Sequence, residues 1–159
     1  MPCEIEKKFL VKGSPWIGAS SQKLRQAYIA KGTATVRIRI SDNQAWLTIK
    51  GKAPEGSFSR LECEYSIPVN EAEIMITQLA LEPPIEKTRY TLEYEGFEWT
   101  IDVFEGTNKG LVLAEIELES EDVQFSVPEW AFQDVTFDHR FANSALISYP
   151  WSNFSSEFE

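Results

Sequence analysis

Charges of one sign recur two residues apart in runs that are otherwise apolar and β-branched, and this pattern narrows the possible folds more than any other. Arg37 and Arg39 alternate with Val36, Ile38 and Ile40. Glu62 and Glu64 alternate with Leu61, Cys63 and Tyr65, and Glu115 and Glu117 with Ala114, Ile116 and Leu118. Period two is the signature of a strand, whose successive side chains point to opposite faces. Glu4, Glu6 and Lys8 keep the same parity against Ile5 and Phe9, as do Lys50 and Lys52 against Leu47 and Ile49. So do Arg60 with Glu62, Lys87 with Arg89, and Asp102 between Ile101 and Val103. A half-exposed antiparallel sheet also alternates, with its polar face in water. Paired like charges weigh against that reading, because they repel unless counter-charges or bound ions lie between them.

The faces so defined carry eight basic residues (Lys8, Arg37, Arg39, Lys50, Lys52, Arg60, Lys87, Arg89) and seven acidic ones (Glu4, Glu6, Glu62, Glu64, Asp102, Glu115, Glu117). That set is nearly neutral, whereas the other 18 acidic and 7 basic residues leave −11 of a total of −10 over 159 residues. Turn-forming residues divide the chain into eight strands, roughly 3–11, 22–30, 33–41, 44–51, 58–67, 86–94, 97–104 and 110–119, with connections short enough for antiparallel neighbours. Eight is about the number at which a closed barrel holds side chains plus one small ligand. Closure would give a densely charged bore inside an acidic exterior. Clustered carboxylates bind hard divalent cations and Arg and Lys bind phosphate oxygens, so both signs in one bore imply a metal–polyphosphate complex.

Two helices are expected. The first has Asn70 as its cap, Glu73 completing a capping box, Ile74, Leu79 and Leu81 as apolar contacts, and Pro83-Pro84 as its stop. The second spans 143–147. Residues 14–21 read as a short helix or loop, and the tail after Pro150 as frayed. Two cysteines, Cys3 and Cys63, are too few for a disulfide framework and read as buried, reduced thiols. No apolar run approaches the ~20 residues of a membrane span and the N-terminus lacks a signal-peptide core, which predicts one cytoplasmic domain over 1–159 with no membrane partner. The negative charge argues against a nucleic-acid surface. His139 is the only histidine, which leaves it a surface or satisfied residue and excludes a His-based triad or zinc cluster; no GxxxxGK phosphate loop is present. Trp46, Trp99 and Trp130 read as packing aromatics.

Glu4-Ile5-Glu6-Lys7-Lys8 resembles the ExExK signature of the CYTH superfamily, the triphosphate tunnel metalloenzymes. The blocks Thr35-Val36-Arg37-Ile38-Arg39, Leu47-Thr48-Ile49-Lys50-Gly51, Arg60-Leu61-Glu62-Cys63-Glu64, Glu86-Lys87-Thr88-Arg89-Tyr90, Ile101-Asp102-Val103-Phe104 and Leu113-Ala114-Glu115-Ile116-Glu117 follow in the family's order. Val135-Thr136-Phe137-Asp138 and Arg140-Phe141 extend the resemblance to about residue 150. It implies a mainly β (α+β) fold, a closed eight-stranded antiparallel β-barrel with a few flanking helices, with Mg²⁺ or Mn²⁺ as cofactor and a small-molecule triphosphate as substrate. The compact chain is most similar to the inorganic triphosphatases. A class IV-type adenylate cyclase, a thiamine triphosphatase and a non-catalytic polyphosphate-binding module are the alternatives. Monomer and homodimer are both compatible with it.

Roles follow from chemistry. Glu4, Glu6, Glu115 and Glu117 are the favoured direct metal ligands. Glu62, Glu64 and Asp102 are either further ligands or salt-bridge partners, since Mg²⁺ commonly keeps several waters. Arg37, Arg39, Lys50, Lys52, Arg60, Lys87 and Arg89 would hold phosphate oxygens, with Lys52 and Arg60 beside a glycine-containing loop where exposure is the alternative. The resemblance adds Lys8, Lys87 and Tyr28 as proton-transfer candidates, with core packing the alternative for Tyr28.

Overall fold

The computed structural model describes residues 2–159. Nine strands form among them: β1 (Cys3–Val11), β2 (Ser20–Ala30), β3 (Thr35–Ser41), β4 (Gln44–Lys50), β5 (Ser59–Ile67), β6 (Ile85–Tyr94), β7 (Phe97–Phe104), β8 (Val112–Glu117) and β9 (Ala131–Asp134). All neighbours are antiparallel in the order β5-β4-β3-β2-β6-β7-β8-β1, and β1 pairs again with β5, closing the first eight strands into a barrel. The expected fold class holds, with helices α1 (Val69–Leu79) and α2 (Asn143–Leu146) and several 3-10 turns outside the wall. The β6–β7 turn shows how local sequence sets register. Glu95 and Gly96 adopt φ of 47° and 83°, the pair of positive values that a two-residue type I′ hairpin requires.

Parity then sorts the side chains. Outward-facing Ile38 and Ile40 pack with Ala27 and Ala45 against Ala72 and Ile76 of α1. Ile5, Phe9, Trp99, Ile101, Ala114 and Ile116 form a second outer cluster. A third cluster lies on the inward parity: Leu10, Ile85, Phe104 and Leu113 stand two residues beyond Lys8, Lys87, Asp102 and Glu115 on their strands. These four pack with Phe141, Leu146 and Phe154, so the C-terminal segment covers that part of the barrel's end.

Several expectations are corrected. β9 is a ninth strand, too short and polar to show a period; it extends the edge of β1 beyond β5. β2 begins at Ser20, two residues earlier than expected, and the segment before it is the loop of the two alternatives, with turns at residues 15–18. Pro68 occupies the cap position of α1 without a capping side chain, and Glu73 pairs with Arg25 of β2 instead. Ile74, Leu79 and Leu81 are half exposed because the helix docks through Ala72 and Ile76, four residues apart on one face. Cys3 is exposed and Cys63 partly buried, and both are free. The tail is docked. Phe154 is buried, Trp151 and Phe158 gather around Phe141, and the Arg140 guanidinium lies 4.7 Å from the Phe154 ring centroid while bonding Glu157 at 2.7 Å. Among the described residues no helix is long and apolar enough to cross a membrane.

Candidate active site

Closure turns the charged parity inward around a cavity of about 240 Å³. Thirteen of the sixteen expected site residues line it: Glu4, Glu6, Lys8, Tyr28, Arg37, Arg39, Lys50, Arg60, Glu62, Glu64, Arg89, Glu115 and Glu117. Three do not. Lys52 lies past the end of β4, where strand parity no longer aims a side chain inward; it is exposed at a wider opening of about 770 Å³ between residues 51–58 and 136–145. Asp102 and Lys87 are buried behind the lining. Asp102 accepts from Arg89 Nε at 2.7 Å, Arg89 Nη2 at 2.9 Å and Lys87 Nζ at 2.7 Å, so both its oxygens are occupied by cations. Lys87 Nζ also donates to Asn143 Oδ1 at 3.0 Å. Burial pulls the Lys87 ammonium down against the raising charge of Asp102. Burial would raise Asp102, but the Arg89 and Lys87 charges hold its carboxyl far below the usual range.

Glu4 joins the two strands that close the barrel. On β1 it sits opposite Arg60 of β5 and accepts from Arg60 Nε at 2.9 Å and Lys50 Nζ at 2.8 and 3.0 Å. Burial favours the neutral acid, yet the Lys50 and Arg60 charges prevail and keep Glu4 ionised well below the carboxylate range. Lys50 reaches Glu62 as well, at 3.3 Å, and Arg37 reaches Glu64 at 3.7 Å while Thr48 donates to Glu64 at 2.7 Å.

The β1–β8 side has the opposite character. Glu6 stands opposite Glu117, and Lys8 opposite Glu115. Burial, then the charges of Glu115 and Glu4, push Glu6 up to about 8. Burial and the charges of Glu4 and Glu62 raise Glu117 as well. Glu115 is lowered, because Lys8 and Arg89 outweigh its burial. Lys8 is the nearest relief for Glu6, at 3.9 Å. Among the described residues no three His, Cys, Asp or Glu side chains converge as a ready-made metal cage. The Glu6–Glu115–Glu117 group still fits a hard divalent cation, because such an ion offsets carboxylates that repel one another and completes its shell with water and phosphate oxygens.

On the opposite wall the imbalance is positive. Arg39 is pushed down to about 9 by burial and then by the Arg37 and Arg89 charges; a guanidinium remains protonated at neutral pH. The buried Nε of Arg37 has no hydrogen-bond partner in the protein.

Sequence reasoning missed Glu98, Thr100, Thr35 and Asn143, which also line the cavity. Parity could have found the first three, since Glu98 and Thr100 lead to Asp102, and Thr35 to Arg37, in steps of two. Asn143 arrives from α2, and nothing in its local sequence marks it.

A CYTH domain model matches residues 3–146. The chain belongs to the CYTH domain family. An inorganic triphosphatase of Acetivibrio thermocellus is 44% identical to this CYTH protein over 153 residues, covering 95% of this chain and 97% of that relative. An inorganic triphosphatase of Nitrosomonas europaea is 36% identical over 153 residues, covering 92% and 99%. A crystal structure described as that of an inorganic triphosphatase superposes on the CYTH barrel with a TM-score of 0.66 at 34% identity, covering 91% of this chain and 97% of that one.

Proposed function

We propose that this protein hydrolyses inorganic triphosphate, with Mg²⁺ or Mn²⁺ bound in the bore. One observation carries the reading. The bore sets a wall of incompletely paired cationic donors, Arg39 and Arg37 Nε, against a wall of mutually repelling carboxylates, Glu6, Glu115 and Glu117. An anion on the first and a divalent cation on the second would satisfy both. The names of the similar CYTH proteins support the choice of substrate.

In this mechanism Arg37, Arg39, Lys50, Arg60 and Arg89 hold the phosphoryl oxygens and stabilise charge as the terminal phosphoryl group transfers to water. Glu6, Glu115 and Glu117 would hold the metal, with Glu62 and Glu64 as salt-bridge partners of Lys50 and Arg37. The metal, when bound, supplies charge neutralisation on the phosphate oxygens and a polarised water. Lys8, beside Glu6 and opposite Glu115, and Tyr28, opposite Arg37, are the lining groups able to exchange a proton with the attacking water or the leaving phosphate. Glu4 keeps Lys50 and Arg60 aimed inward. Lys87 acts through Asp102, which orients Arg89.

Phosphate release from tripolyphosphate, ATP, thiamine triphosphate and pyrophosphate, each with Mg²⁺ or Mn²⁺, tests the proposal. Tripolyphosphate is expected to give the highest kcat/KM, because the bore engages phosphates and contributes little to a base. Pyrophosphate is expected to be poor, being too short to span both walls. Cyclic AMP formed from ATP, or binding without turnover, would replace this reading.

A further inference from the structure

Arg39 is held differently from the other arginines of the bore. Arg37, Arg60 and Arg89 each reach a carboxylate. Arg39 has none among the described residues, and its Nε donates to Gln26 Oε1 at 2.8 Å. Gln26 is fully buried and stands opposite Arg39 in the β2–β3 register. A guanidinium can only donate, so the amide oxygen must face Arg39 and the amide nitrogen is left over. That nitrogen has no partner in the protein. A glutamate of the same shape would bind Arg39 more strongly and leave no stranded donor, but it would also cancel the charge of the side chain it positions.

We propose that Gln26 is a positioning residue for triphosphate binding: it fixes the Arg39 guanidinium through a neutral acceptor, so that the full positive charge stays available to a phosphoryl group. The two stranded donors, Gln26 Nε2 and Arg37 Nε, belong to neighbouring positions of the same wall, since Tyr28 and Arg37 are the next inward pair after Gln26 and Arg39. The inference rests on the triphosphatase reading above and specifies how its substrate is held.

Calorimetric titration of tripolyphosphate into the metal-free full chain, together with KM, kcat and melting temperature under Mg²⁺, tests it with Gln26→Glu in the native and Arg39→Met backgrounds. Gln26→Glu is expected to weaken binding and raise KM at least tenfold, with kcat within threefold and a melting temperature equal to or above the parent's. In the Arg39→Met background the same substitution is expected to change binding by less than twofold, because its effect acts through Arg39. Gln26→Glu binding within twofold of the parent, a tenfold loss that persists without Arg39, or a variant that melts earlier or fails to fold would each overturn the inference. Native protein that binds tripolyphosphate without hydrolysing it under Mg²⁺ overturns the proposed reaction alone, and native protein that neither binds it metal-free nor hydrolyses it under Mg²⁺ overturns both.

Discussion

Glu6 on β1 stands directly opposite Glu117 on β8, two carboxylates facing one bore with Glu115 beside them. Burial and the charges of Glu115 and Glu4 raise Glu6, which gives its pH dependence a definite sign. With a folded value of about 8 against an ordinary 4.5, Glu6 contributes stability that is fully present below 4.5 and lost as pH rises to about 8. In chelator the melting temperature is therefore expected to fall across that window. Mg²⁺ or Mn²⁺ is expected to restore it most at pH 8, and Glu6→Gln to flatten the profile. A profile that Glu6→Gln leaves unchanged would separate Glu6 from the effect.

Glu4 and Glu6 are two residues apart but predict opposite outcomes. Glu4→Gln leaves Arg60 and Lys50 poorly compensated and should destabilise the fold by about 3 kcal/mol, the usual scale for breaking a buried pair. Glu6→Gln should leave the metal-free fold as stable or more so. Both should abolish activity. Urea unfolding of the two variants side by side decides it, and equal midpoints would contradict the division of roles.

Arg39 and Lys52 test which cations touch substrate. Arg39→Ala is expected to lower kcat/KM for tripolyphosphate by about 100-fold, the scale of losing one preorganised charge donor. Lys52→Ala should stay within about twofold, because Lys52 lies exposed outside the bore. A large Lys52 effect would bring the 51–58 segment into the site.

The C-terminal segment should behave as core. Phe154→Ala removes a buried ring packed on Phe141 and should cost about 3–5 kcal/mol in denaturant unfolding. A cost below about 1 kcal/mol would return the tail to the status of a frayed end.

Legibility from sequence followed the range of the interactions. Strand parity placed Arg37, Arg39, Glu62, Glu115 and their neighbours correctly, because one face of each strand is fixed once the other is buried. The same parity misled at Lys52, where the strand had already ended, and it could not tell Lys50, in the lining, from Lys87, behind it. That difference depends on Asp102 of the neighbouring strand and on Asn143, 56 residues away, both of which take the Lys87 ammonium. The helix cap failed for a related reason, since Glu73 is drawn to Arg25 by a contact 48 residues away rather than to its own backbone.

The pairing of β1 has a consequence in time. Residues 3–5 pair with β5, residues 6–10 with β8, and residues 9–11 with β9 near position 133, so β1 completes its pairing only once segments more than a hundred residues downstream have been made. Loop closure over such separations is slow, and no shorter nascent chain can form the ring. Glu6 and Lys8 therefore meet Glu117 and Glu115 only across more than a hundred residues of chain, and the charged bore belongs to the finished ring and to no part of it.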